Sequence, residues 1–285
     1  MRWRGRRQSG NVEDRRGMPV KGLVGAGGGV VTLIIIVIAI FTGQDPTPLL
    51  QQMDPGGSSG SVQVDPRDEP LKNFVSVVLA DTEDVWGNLF RRQLGRAYEQ
   101  PKLVLFTGRV ESACGLASAA VGPFYCPGDG KAYLDLDFFR EMRERFRAPG
   151  DFAMAYVIAH EIGHHVQNLV GINERVQAQR RRSGEAEGNR LSVRMELQAD
   201  YLAGVWAHHA DRTRNILETG DIDEAIRAAN AIGGDTLQRR SRGTVVPDSF
   251  THGTSAQRIR WFRRGYQTGD FAAMRQLFEL PYEDL

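Results

Sequence analysis

The chain has 285 residues, 41% hydrophobic and 25% charged. That balance is ordinary for a folded protein and excludes a wholly disordered, collagen-like or coiled-coil chain. The net charge of +1 is unevenly placed: residues 1–22 carry Arg2, Arg4, Arg6, Arg7, Arg15, Arg16 and Lys21 against Glu13 and Asp14, which leaves 29 basic and 33 acidic groups for the remaining 263 residues. A body of net charge −4 argues against a large nucleic-acid surface, and no nucleic-acid partner is expected.

The 23 residues from Gly22 to Gln44 contain no charge, and their densest part is VVTLIIIVIAIF, residues 30–41. About 20 mainly apolar residues suffice to span a bilayer. With the basic flank before it and Asp45 after it, the run reads as a single transmembrane signal anchor over 22–44. Residues 1–21 are then a cytoplasmic basic tail, and the rest of the chain is exported. A cleaved signal peptide is the alternative, although no small-x-small site follows Phe41. Residues 45–70, with five prolines between 43 and 70 and the GGSSG run, form a flexible linker. The folded domain is expected over 71–285.

Helical spacing of Leu71, Phe74, Val77, Val78, Val85 and Leu89 predicts a helix from Leu71 to about Tyr98, stopped by Pro101. A β-like region follows. Leu103–Phe106 is apolar, and residues 122–125 and 132–136 are strand-like, with Pro127-Gly128-Asp129-Gly130 as the turn between them. A helix over about 151–170 has Asp151 as its N-cap and Gly171 as its stop. Further helices are expected over about 191–217 and 221–238, and from Thr254-Ser255 onward. The fold class is α+β: mostly helical, with a small antiparallel or mixed sheet, preceded by one transmembrane helix.

The central helix contains His160-Glu161-Ile162-Gly163-His164. Residues four apart share a helix face, so both imidazoles can reach one metal ion while Glu161 stands beside it as a non-ligand. This is the HExxH pattern, in which zinc activates water and the glutamate acts as base. A hydrolytic zinc site has three protein ligands and an open position. Glu196 and Asp200, also four apart, supply a third ligand and a carboxylate that accepts a hydrogen bond from the back of a ligand histidine. One Zn2+ per chain is expected. His165 lies about 100° around the helix from His164 and reads as structural, as do His208 and His209.

The segments NVEDRRG (11–17), GPFYCP (122–127), YLDLDFF (133–139), AHEIGHHVQN (159–168), MELQAD (195–200) and HGTSAQR (252–258) resemble the bacterial neutral zinc metallopeptidase family of membrane-anchored, gluzincin-like proteins. The resemblance implies a gluzincin-like domain, with His160, His164 and Glu196 as zinc ligands and Glu161 as the catalytic base. It also implies a peptide or protein substrate and a bacterial cell-membrane location, with residues 22–44 in the bilayer and the catalytic domain outside the cytoplasm. Cysteines that the family pattern has at the position of Tyr201 and near Met274 are absent. His252 and Arg258 are spaced like the His-Pro…Arg-Ile segment of membrane gluzincins of the prenyl-protein-peptidase type. Either side chain could hydrogen-bond an oxyanion, and a bracing role for His252 is equally open.

Three further expectations complete the reading. Cys114 and Cys126, the only cysteines, form one disulfide in an exported domain. The alternating segment 132–137, with Tyr133, Leu134 and Asp135, is an edge strand that pairs with an extended substrate. The function is zinc-dependent endopeptidase. The alternative is an anchored binding or scaffold protein whose metal site is catalytically idle. The sequence does not reveal an oligomeric state.

Overall fold

The structure is a computed structural model that describes residues 1–18, 65–118, 122–233, 235–236 and 251–285. The anchor expected over 22–44 and most of the expected linker lie outside these residues. Among the described residues no helix is long and apolar enough to cross a membrane.

Met1–Arg15 and Asp65–Leu285 form one compact unit. The expectation that residues 1–21 are a tail apart from the domain is therefore corrected for its described part. Residues Val12–Asp14 form strand β1, which pairs in parallel with β2, Lys102–Phe106. The body also begins slightly before residue 71, with a short 3-10 turn at Pro66–Asp68 and helix α1 at Glu69–Leu89. A π-helical turn, Phe90–Leu94, extends α1 and stops at Gly95, which adopts φ 63°, a conformation glycine takes without steric cost.

Four strands make the main sheet in the order β1-β2-β6-β5, where β5 is Phe124–Cys126 and β6 is Lys131–Asp135. The β2–β6 pair is parallel and the β5–β6 pair antiparallel. Strands β3, Arg109–Ser112, and β4, Gly115–Ser118, form a separate hairpin. Both faces of the sheet are covered. Leu103, Leu105, Ala132 and Leu134 join the main core, whereas Val104, Phe106 and Tyr133 pack with Val110 and Cys126 in a smaller one. Cys114 and Cys126 are disulfide-bonded, tying the hairpin tip to β5.

β6 lies inside the sheet, which corrects the expected edge strand. The alternation that suggested an edge strand has another cause. Tyr133 stacks on Phe124 with ring centroids 4.7 Å apart. Asp135 is buried and accepts hydrogen bonds from the Gly108 and Asp137 backbone N–H groups at 2.8 and 3.0 Å. It braces the turn after β2 and the start of α2, Asp137–Glu144.

Three helices carry the rest of the core: α3 (Asp151–Leu169), α5 (Glu185–Arg214) and α7 (Ser255–Thr268). Between them run α4, Ile172–Arg180, and α6, Asp221–Ala231. The short α8, Gln276–Glu279, lies near the C-terminus. Asp151 is the first helical residue rather than the cap. Gly150 takes the cap position at φ 127°, and Glu224 of α6 accepts the Phe152 N–H at 2.9 Å. At α7, Thr254 and Gln257 form a reciprocal capping box.

Two close approaches set the helix geometry. A Cβ on Gly204 would lie 2.1 Å from the Phe262 carbonyl oxygen, and one on Gly265 would lie 2.0 Å from that of Tyr201, so α5 and α7 meet backbone to backbone. A Cβ on Gly163, inside the HExxH turn, would lie 3.0 Å from the Ala199 oxygen. Glycine there lets α5 press against α3 where Glu196 and Asp200 must face the two histidines.

Candidate metal centre

The structure brings His160, His164 and Glu196 together. Their donor atoms all lie within 4.8 Å of one another. His160 Nε2 is 3.3 Å from Glu196 Oε2, and His164 Nε2 is 3.5 Å from Glu196 Oε1. Two atoms bound at about 2.0–2.1 Å to one tetrahedral ion lie roughly 3.3 Å apart, so the donors are spaced to hold zinc. Two imidazoles and a carboxylate also suit zinc chemically.

The other nitrogen of each imidazole is committed. His160 donates from Nδ1 to Asp200 Oδ1 at 2.8 Å. His164 donates from Nδ1 to Gln167 Oε1 at 2.8 Å. Gln167 in turn donates to the Met195 carbonyl at 2.7 Å and to Gln198 Oε1 at 3.0 Å, which fixes its amide orientation. These contacts present Nε2 of both rings to Glu196. Sequence reasoning found Asp200 but missed Gln167. Its signal was the i, i+3 spacing from His164 along α3, which puts it beside that ring.

Asp200 is fully buried and takes four hydrogen bonds. Besides His160, Tyr156 donates to Oδ1 at 2.5 Å, and Arg258 donates from Nε to Oδ2 at 2.8 Å and from Nη2 to Oδ1 at 2.9 Å. Arg258 also donates to the Ile232 carbonyl at 3.3 Å and is 2% exposed. Its guanidinium is thus held against Asp200 behind His160, and it also lines the cleft over the cluster. The attraction works both ways. Burial opposes the Asp200 charge, but Arg258 and His160 outweigh it and hold the carboxyl below its usual range. Burial likewise disfavours charge on a metal-free His160, yet Asp200 and Glu196 raise it to about 10. Burial would push Glu196 up, but the two imidazoles hold it well below the usual carboxylate range.

A cleft of about 550 Å³ opens over this cluster. His160, Glu161, His164 and Glu196 line it, together with Phe124, Tyr125, Phe138, Phe146, Val157 and Met195. His252 is exposed at the cleft, with Nδ1 2.9 Å from Thr251 Oγ1. The remaining histidines are structural. His165 donates to the Glu99 carbonyl and accepts from the Tyr125 hydroxyl, while His208 and His209 donate to the Tyr266 and Gly269 carbonyls. Tyr133, Leu134 and Asp135 lie in the sheet interior, away from the cleft lining.

The sequence matches the family described as "Putative neutral zinc metallopeptidase" over residues 1–276. The chain belongs to that family. The uncharacterized protein YpfJ of Escherichia coli K12 is 49% identical over 278 residues, covering 95% of this chain and 96% of its own. The uncharacterized protein Rv2575 of Mycobacterium tuberculosis H37Rv is 39% identical over 250 residues, covering 78% and 82%. No solved structure matches the chain. The match includes the N-terminal segment that builds β1, as well as the metal cluster.

Proposed function

We propose that this family member is a zinc-dependent, membrane-associated endopeptidase of an oxidising, exported compartment, where its disulfide is stable. The observation that carries the peptidase reading is the three-donor cluster at the floor of an apolar cleft, with Glu161 beside it. His160, His164 and Glu196 hold the ion. Bound there, zinc would polarise a peptide carbonyl and lower the pKa of a water molecule toward about 7. Glu161, lining the cleft, is the carboxylate that accepts a proton from the attacking water and delivers it to the leaving amine. His252, exposed at the cleft, donates to the carbonyl oxygen as charge develops there. Arg258 acts through Asp200, keeping His160 in the required tautomer and orientation.

β5 is the sheet edge beside the cleft, and Phe124 and Tyr125 line that cleft. An extended peptide pairs with the outer edge of β5, and its apolar side chains enter the space between Phe138, Phe146 and Val157. The idle-site alternative, a binding protein, calls for a closed site with four protein ligands. The cluster offers three donors and opens on the cleft. Incubating the full chain with a peptide mixture separates the readings. Cleavage that a chelator abolishes and one equivalent of zinc restores supports the peptidase. A zinc-loaded protein that cleaves nothing in the mixture favours the binding protein.

A further inference from the structure

The first fifteen residues are built into the catalytic body along their whole length. The Arg2 N–H donates to the Ile216 carbonyl at 2.8 Å. Trp3 meets Phe74 edge to face at 5.4 Å. Ser9 and Ser76 exchange two hydrogen bonds, N–H to carbonyl at 3.0 Å and hydroxyl to carbonyl at 2.9 Å. β1 then adds a strand to β2, and the Arg15 N–H closes the ladder on Leu105 at 2.8 Å. Without β1, the backbone of β2, whose Leu103 and Leu105 are buried, would lose its partners on that side.

The arginines that read as a cytoplasmic flank have partners in the same body. Arg6 pairs with Asp81 at 2.6 Å, Arg7 with Glu83 and Asp84 at 3.1 and 2.9 Å, and Arg15 with Glu13 at 2.6 Å. Their number therefore reflects complementarity to α1 and β1 as much as any topology signal.

The chain leaves and rejoins the body at one place. Asp14, at the end of β1, pairs with Lys72 in the first turn of α1 at 2.9 Å. Between these points lie residues 16–64, which contain the uncharged run 22–44. Had that run crossed a bilayer once, residues 45–64 would have to cross back. They are DPTPLLQQMDPGGSSGSVQV, with two aspartates and three prolines. A stretch of that composition is too polar to span a bilayer.

We propose that residues 1–15 and the catalytic body lie on the same side of the membrane. This replaces a single-pass arrangement with the N-terminus inside and the catalytic domain outside. It stands independently of the peptidase reading.

Two measurements on the full chain in bacterial spheroplasts test the proposal. Gln8→Cys and Glu279→Cys each place one free thiol at an exposed position, since the native cysteines are paired. A membrane-impermeant maleimide should label both variants before permeabilisation, or neither. Labelling of one without permeabilisation and of the other only after it would overturn the proposal. The double variant Ser9→Cys/Ser76→Cys should oxidise to a cross-link in the membrane fraction, read by mass spectrometry of its peptides. Absence of that cross-link in protein that retains the Cys114–Cys126 disulfide would also overturn it.

Discussion

Replacing Arg258 by Met leaves the Asp200 carboxylate, 0% exposed, without its guanidinium. Both groups are shut away from solvent, so screening does not soften the loss. Removing one partner of a buried ion pair costs about 3–5 kcal/mol, because the other charge stays desolvated. Tyr156 and His160 still donate to Asp200, which places the expected cost at the lower end, about 3 kcal/mol. Denaturant unfolding of the metal-free protein reads this without a contribution from zinc binding. The double variant Arg258→Met/Asp200→Asn carries no orphan charge and should lose less than the sum of the single variants, with a coupling of about 1–3 kcal/mol. Zinc affinity of Arg258→Met should fall about 10–100-fold as His160 loses its fixed orientation. A single-variant loss under about 1 kcal/mol, together with strict additivity, would refute the idea that Arg258 acts through Asp200.

Gln167→Leu removes the acceptor behind His164 and should weaken zinc binding about 10–100-fold in chelator competition. Gln167→Glu restores the acceptor and should recover much of that loss, whereas equal affinity in all three proteins would show that the contact is idle. Because folding raises metal-free His160 from 6.5 to about 10, its stabilising contribution is complete below pH 6.5 and fades as pH rises toward 10. Zinc requires neutral imidazoles, so apparent zinc affinity should instead rise between pH 6 and 9, with proton release on binding; a flat profile would contradict this. Cys114→Ser/Cys126→Ser opens the loop over β4 and β5 and should lower unfolding free energy by about 3 kcal/mol with zinc content unchanged. Loss of zinc in that variant would show that the disulfide shapes the metal site itself.

The metal cluster was legible because helical geometry turns sequence spacing into position. HExxH and ExxxD each place two groups on one face, and Gly163 permits the faces to meet. The long helices were legible from their periodicity, although α5 begins at Glu185, six residues before its expected start, and α6 ends at Ala231, seven before its expected end. The sheet was harder. β1 is three residues, Val12–Asp14, set among arginines, and it becomes a strand only because β2 offers an edge more than eighty residues away. Local pattern carries no trace of such a partner. Basic residues before an apolar run suit a membrane signal and a set of ion pairs equally well, and the partners Asp81, Glu83 and Asp84 lie more than seventy residues along the chain. The alternation of 132–137 suggested an edge strand, whereas β6 is interior and the Asp135 carboxylate is occupied with backbone N–H groups. Arg258 was placed near the site by its spacing, but which side of His160 it would occupy depended on the crossing of α5 and α7 at Gly204 and Gly265.

The most direct test of the central claim is peptide hydrolysis by the Glu161→Gln variant at measured zinc content. Glu161 lines the cleft beside His160 and His164 but is not one of the clustered donors. The account predicts one zinc per chain, as in the unsubstituted protein, and turnover reduced about 10²–10⁴-fold, the range for loss of a positioned general base. Hydrolysis at the unsubstituted rate with zinc fully bound would contradict it.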